Sequence, residues 1–462
     1  MLFNSQIFLY SFLPITYIVF WRLQTRSQRY FWLTVASYVF YGFWDFRFCG
    51  LMAFSTAVSY LAGRGMLASN TPFQRRMCLI VPIVVDIAVL CFFKYFNFAL
   101  ETSSSVMAWL GMPVDAQLMN IILPVGISFY TFHTITYIVD SYRGTVKPTR
   151  NVFEFACYVS LFSQLVAGPI VRFRQIERDL EHLDTAQRGV WVERGCSFFA
   201  LGMIEKVLIA DSIAQVIDPA LMEFQGLSTL GVWLCMLGYS YQLFFDFVGY
   251  SDMAVGLGLL FGVRIPQNFN SPYQAANVSD FWRRWHMSLS SCLRDYLYIP
   301  LGGSRGHASA IYRNLLITMV IGGLWHGASW TFVVWGAYHG LLLCLYRACG
   351  RWWDLLPLLP RQIGTFLLVL VGWVFFRSMS FEMAGHLLFT MFIPTEGRLP
   401  QGAVGLGFAL CVAGFVAHRA PNTFEISHQW RAPAIATIAS LFGLCLLLIS
   451  SGQPSPFLYF QF

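Results

Sequence analysis

The sequence predicts an all-α, polytopic membrane protein, and three observations carry that reading. Hydrophobic residues make up 57% of the chain and charged residues only 11%. Apolar runs repeatedly reach the roughly 20 residues that a helix needs to cross a bilayer. Arginine and lysine gather in alternate connections, as they do in cytoplasmic loops. The net charge of +7 follows from that loop bias and implies no nucleic-acid partner. No polar stretch is long enough to fold alone, the longest lying between about Val171 and Arg194. The expected organisation is therefore one membrane domain over residues 1–462, with N-terminal helices to 151, a core from 152 to 346 and C-terminal helices from 347. The cysteines form no CxxC pair and no metal spacing, so they read as small apolar packing residues, with no metal site implied.

Taken in order, a first span covers about Phe3 to Trp21. It lacks a basic n-region and an A-x-A-like site, so it reads as a retained helix and not a signal peptide. Arg22, Arg26 and Arg29 follow it, then a span from about Tyr30 to Trp44, a third ending near Gly63, and a fourth from Met77 to Phe98. The next loop carries Glu101 and Asp115, and a fifth span runs from Leu118 to Val139 before Arg143, Lys147 and Arg150. The basic loops are cytoplasmic by this rule, which places the N-terminus outside. Gly168-Pro169 interrupts an apolar stretch and predicts a re-entrant half-helix, since proline breaks a helix. The charges that follow, Arg172 to Arg194, suit either an amphipathic helix at the cytoplasmic face or a solvated loop.

A sixth span over about Gly195 to Ala214 holds the adjacent, opposite charges Glu205 and Lys206. The seventh, about Gly231 to Phe261, contains GYSYQLFFDFVGYSD. Gln242, Asp246 and Asp252 are costly there unless they line a wet or substrate-filled cavity. Gly262 to Arg313 reads as cytoplasmic, with Trp, Leu and Arg spaced as in an interfacial helix. Residues 314–327 and 328–346 look like a tight pair of short, tilted or re-entrant pieces. Three further spans (363–376, 404–417 and 434–450) bring the total to about twelve and place the C-terminus outside. No inverted repeat of the transporter type is visible.

The least ordinary stretch runs from Asp280 to His339, opening with DFWRRWHMSLSSCLRDYLYIPLGGSRG and containing IGGLWHGASWTFVVWGAYH. His286 and His326 each follow a tryptophan, His326 within an otherwise apolar run. A histidine at bilayer depth is costly and is by default a candidate for function; the bland alternative is a buried imidazole bonded to a carbonyl. Imidazole can take a proton from a hydroxyl near neutral pH. Arg283 and Arg284 could hold the phosphates of a soluble donor, and Gly322, Gly323 and Gly327 allow backbone to approach His326. His133 and His339 sit among aromatics with no motif role. No G-x-S-x-G elbow, Walker loop or HExxH pair occurs. From the residues alone the reading stops at a membrane enzyme or transporter with a histidine-lined cavity.

FWRRWHMSLSSCLRDYLYIPLGG followed by GGLWHGASWTFVVWGAYHG resembles the signature of the membrane-bound O-acyltransferase (MBOAT) family. LPVGISFYTF at 123–132, FDFVGYSDMAVGLGLLFG at 245–262 and PQNFNSPY at 266–273 are similar to its bacterial polysaccharide-modifying branch, the type that O-acetylates alginate and cellulose. The resemblance covers residues 1 to about 380. It implies about 11–12 transmembrane helices with re-entrant and interfacial helices, forming a core around a funnel or tunnel. It also implies transfer of an acyl group, acetyl in particular, from cytoplasmic acetyl-CoA across the bacterial inner membrane to an exopolysaccharide. No bound cofactor is implied, and an exported hydrolase-like partner completes the transfer. By motif, His326 would be the catalytic base and His286 a second, supporting histidine; Asp246, Tyr250, Asp252 and Trp325 would line or brace the cavity. A transporter or flippase of an acyl or sugar carrier, or a non-catalytic scaffold of a polysaccharide synthesis complex, are the alternatives.

Overall fold

Helices follow the apolar runs. The computed structural model describes residues 1–112, 117–166, 168–183, 188–452 and 457–458; Asp115, Asp184 and the Arg188 side chain fall outside the described residues. No strand occurs among the described residues beyond one isolated bridge between Leu227 and Arg398. The chain forms two compact units, Met1–Cys196 with Ala254–Pro266, and Ser197–Met253 with Gln267–Phe462.

In the first unit a π-helical turn at Phe8–Phe12 leads into α1 (Leu13–Arg22), followed by α2 (Arg26–Asp45), α3 (Arg47–Ala68), α4 (Pro72–Leu90) and α5 (Phe96–Trp109). Thr25 opens α2 with a capping box to Gln28, which satisfies two of the free amides at the helix start. The fifth span begins later than expected: 117–126 is not helical, and α6 (Ile127–Arg143) starts only after Gly126. Pro124 lacks an amide hydrogen, and Gly126 turns the chain at φ 76°, where a Cβ would lie 2.6 Å from the Leu165 carbonyl oxygen.

The interrupted segment is present as α7 (Val152–Ser160) and α8 (Phe162–Leu165), with a first break already at Leu161. Both pieces are largely buried, and side chains bond what the break frees. Ser37 Oγ accepts the Phe162 amide at 3.0 Å, and Gln164 Nε2 donates to the Tyr158 carbonyl at 2.6 Å. Of the charged stretch after it, the first half is an amphipathic helix, α9 (Phe173–Glu181), which buries Phe173, Ile176 and Leu180. Its last carbonyls accept from Tyr30 Oη (to Leu180, 2.6 Å) and Arg26 Nη1 (to Glu181, 2.8 Å).

α10 (Arg188–Ile204) leads through a π-helical stretch, Glu205–Ala210, into α11 (Asp211–Met222) of the second unit. α12 (Thr229–Leu260) is 32 residues long and buried along its apolar length. Gly202 and Gly249 allow α10 and α12 to touch: a Cβ on either would come within 2.6 Å of the other's carbonyl oxygen. That contact lies one turn before Lys206 and one turn after Asp246, and so brings this lysine and aspartate together.

Next come α13 (Val278–Arg284), α14 (Met287–Leu293), a π-helical turn at Arg294–Tyr298, α15 (Ala308–His326), α16 (Trp330–Trp353), α17 (Leu358–Arg377), α18 (Phe381–Phe392), α19 (Ala403–Arg419) and α20 (Ala432–Ser450). Three expectations change here. The segment 262–313 is not a surface helix: Asn268, Tyr273, Phe281, Trp285, His286 and Leu289 are buried, because its aromatic face turns into the protein. α15 and α16, at 19 and 24 residues, are full-length helices and not half-pieces, since the helix begins well before Asn314 and continues beyond Tyr346. α18 was not foreseen, its twelve residues being too few to register as a span. Among the described residues, six helical segments are long and apolar enough to cross a membrane: Pro72–Trp109, α12, α15, α16, α17 and α20.

α15 and α16 pack backbone to backbone. A Cβ on Gly323 would lie 2.2 Å from the Phe332 carbonyl oxygen, and one on Gly336 2.3 Å from that of Met319. A side chain at either position must spread the pair. Gly336→Val is expected to destabilise the protein by roughly 1–3 kcal/mol or more through overpacking. Gly385→Ala, in α18 with open space at its Cβ, should be neutral or stabilising by about 0.5–1 kcal/mol. Thermal unfolding in one detergent reads both, and equal behaviour of the two variants would contradict the packing account.

Candidate active site

The turn between α15 and α16 is built around Trp325-His326-Gly327. Gly327 is extended, and a Cβ there would fall 2.1 Å from the Phe332 ring, which occupies the space a side chain would need. Ser329 Oγ then caps α16 by accepting the Thr331 amide at 3.3 Å. His326 is thus the last residue of α15, at the helix end whose dipole favours positive charge. It is buried, with Trp335 and Phe376 edge-on to its ring at centroid distances of 5.1 and 5.2 Å.

His286 comes to the same place from the link between α13 and α14. Its backbone is left-handed, φ 43°, a conformation costing about 1–3 kcal/mol at a non-glycine residue and found disproportionately at functional sites. The ring is buried 6.5 Å from His326 and 5.9 Å from Trp325, centroid to centroid, and packs against Phe247 of α12 at 4.7 Å. Burial pushes its imidazole down to about 3, so it is neutral across the physiological range.

A cavity of about 710 Å³ leads to His326. Arg283 and Arg294, both exposed, share its lining with buried His326 and Trp335, so it runs from the surface inward. Its wall is mostly apolar (Met287, Leu289, Leu293, Leu315, Met319 and Leu343), with Ser279, Ser290, Ser291, Tyr298 and Thr318 as polar points. Gly322 faces Leu293 across it, and a Cβ at 322 would lie 3.1 Å from the leucine methyl.

Of the residues singled out in the sequence, His326, His286 and Trp325 are brought together; His326 and Arg283 line the cavity, and His286 and Trp325 do not. Arg284 does not; it pairs with Asp280 at 3.0 Å. Asp246, Tyr250 and Asp252 are buried on α12 but are not among the residues lining this cavity. Asp246 pairs with Lys206 at 2.6 Å and accepts the Leu458 amide at 3.0 Å; Lys206 also reaches Asp211 at 2.5 Å, so its partners are not the adjacent Glu205. Tyr250 packs on Phe457 at 4.5 Å, and Asp252 accepts from Thr423. His133 lies 3.4 Å from the Val159 carbonyl oxygen through Nδ1, while His339 stands among Trp282, Trp335 and Trp373 with neither ring nitrogen bonded.

Trp335 and Asn268 were not singled out. Trp335 lies on the first turns of α16, in register to face back at His326, and the helical period after the Trp-His-Gly turn was the available signal. Asn268, whose Oδ1 is 3.2 Å from His286 Nδ1, belongs to PQNFNSPY, and no local pattern marks it.

The protein is helical, and a surface cavity ends at one buried imidazole, His326, with that of His286 next to it. The chain belongs to the membrane-bound O-acyltransferase (MBOAT) family, whose model matches residues 147–385. It is 39% identical, over the whole of both chains, to "Probable alginate O-acetylase AlgI" of Azotobacter vinelandii. It is 33% identical to the "Peptidoglycan O-acetyltransferase" of Helicobacter pylori over 97% of this chain and 88% of that protein. With the "Teichoic acid D-alanyltransferase" of Bacillus subtilis it shares 31% identity over 54% of this chain and 66% of that one. The protein is a multi-pass membrane acyltransferase.

Removing one partner of a buried ion pair leaves an uncompensated charge, at a cost of roughly 3–5 kcal/mol. Lys206→Met is therefore expected to lower thermal stability in detergent by that order, and Lys206→Met combined with Asp246→Leu to recover part of it, since Asp211 also loses its partner. A single variant as stable as wild type would remove the pair from the structural account.

Proposed function

We propose that the protein is the membrane subunit of a polysaccharide O-acetylation system in the bacterial inner membrane, drawing acetyl groups from cytoplasmic acetyl-CoA. The observation that carries this reading is the cavity that joins two exposed arginines to His326. Arg283 and Arg294 suit the phosphates of the donor, and the apolar wall suits its pantetheine arm. The acetyl thioester would lie against His326, at the point where the cavity reaches it beside Trp335.

His326 takes the proton of the acceptor hydroxyl as its oxygen attacks the thioester carbonyl carbon. The tetrahedral oxyanion collapses, the carbon–sulfur bond breaks, and the imidazolium returns its proton to the departing thiolate. His286, its ring centroid 6.5 Å from that of His326, supports this centre. Relatives named for alginate and peptidoglycan acetylation favour a polysaccharide as the final acceptor, alginate-like more directly than cellulose. An exported hydrolase-like partner would carry the group onward to the polymer.

The test is the acetyl content of the exported polysaccharide in cells carrying His326→Ala, with membrane level matched to wild type. Loss of a general base should lower the rate about 10²–10⁴-fold, leaving little or no acetyl on the polymer. Acetylation retained at normal protein level would sink this reading of His326.

A further inference from the structure

The hydrogen bonds around His286 determine which of its nitrogens carries the proton. Asn268 Oδ1 lies 3.2 Å from the backbone amide of Ser288, and a backbone amide can only donate. The side-chain atom it meets must therefore be the oxygen, and the amide of Asn268 has one orientation. Its Nδ2 then donates to Ser251 Oγ on α12 at 3.2 Å, and the Ser288 hydroxyl donates to Oδ1 at 2.8 Å. His286 Nδ1 stands 3.2 Å from the same oxygen. Two acceptors cannot share a bond, and the Ser288 hydroxyl, its one hydrogen spent on Oδ1, meets Nδ1 at 3.4 Å only as an acceptor, so Nδ1 bears the hydrogen. The Met287 amide donates to the Asn268 backbone carbonyl at 2.8 Å, which ties the left-handed turn of His286 to the same residue.

We propose that Asn268 is a positioning residue of the reaction centre: it holds His286 in the Nδ1–H tautomer and leaves Nε2 as the proton-accepting nitrogen. This rests on the reading that His286 and His326 share that centre. Centroids 6.5 Å apart leave roughly 4 Å or more between the nearest nitrogens, too long for a direct bond and suited to one bridging hydroxyl or water. Such a group donates to His286, since a neutral ring protonated on Nδ1 can only accept at Nε2. The elements packed on the ring contribute Phe247, Phe269, Asn268, Trp325 and His326, and of these only His326 titrates.

Histidine labelled with ¹⁵N in the full chain, held in lipid nanodiscs, reads the tautomer directly, with His286→Gln assigning the signal. The expected result is a protonated Nδ1 and an unprotonated Nε2 at neutral pH, and a mixture of tautomers in Asn268→Leu. The opposite tautomer in wild type, or an unchanged signal in Asn268→Leu, overturns the proposal. In cells, Asn268→Leu at matched membrane level should lower acetylation roughly 10- to 100-fold, the range for partners that orient a functional imidazole. Should Asn268→Leu fail to accumulate, Asn268→Asp keeps the acceptor and the shape. A carboxylate there favours the imidazolium, so His286 should charge at higher pH than in wild type. An unchanged titration of His286 in Asn268→Asp overturns the proposal. Acetylation that survives His326→Ala would instead remove the reaction-centre reading, while the tautomer measurement still decides the role of Asn268.

Discussion

The close approach of α15 and α16 is the constraint on which the site depends. Backbone oxygen of one helix occupies the space of an absent Cβ on the other at Gly323 and Gly336, and the Phe332 ring does the same at Gly327. Between apolar segments in a bilayer there is little hydrophobic drive to associate, so packing of this kind is what holds helices together. Its consequence is chemical. His326 is fixed at the last residue of α15, with Trp335 of the returning helix edge-on against it, and neither ring can withdraw without parting the pair.

A second constraint is that polar groups carried to this depth must find partners inside the protein. α12 holds Asp246 against Lys206, Gln242 against Asp218 and Asp252 against Thr423, and it supplies Ser251 to the amide of Asn268. The π-helical stretch Glu205–Ala210 carries Lys206 at the point where α10 and α12 touch through Gly202 and Gly249. Polar residues that would be prohibitively costly in lipid are here structural on one face of α12, while Phe247 on another face packs against His286. One helix thus links the ionic core of its unit to the candidate site.

The two histidines reach their positions by unlike routes. His326 is placed by helix packing, and its freedom is limited by aromatic rings. His286 is placed by hydrogen bonds, with a strained backbone and an asparagine that leaves its ring one tautomer. An acyl transfer to a hydroxyl needs a group that takes up its proton, and imidazole is suited to that task near neutral pH.

Composition and the alternation of basic loops were enough for the all-α membrane class, because lipid permits little else over runs of this length. The Trp-His pairs and their glycines marked the candidate site, since ionisable and flexible residues stand out against an apolar background. What the sequence could not disclose is which polar residues face one another. Lys206 stands next to Glu205 in the chain, yet it pairs with Asp246 and Asp211. Arg283 and Arg284 are neighbours, yet one lines the cavity and the other pairs with Asp280, because consecutive helical residues point about 100° apart. The burial of 262–313 and the role of Asn268 depend on contacts far along the chain, and only the tertiary structure brings those partners together.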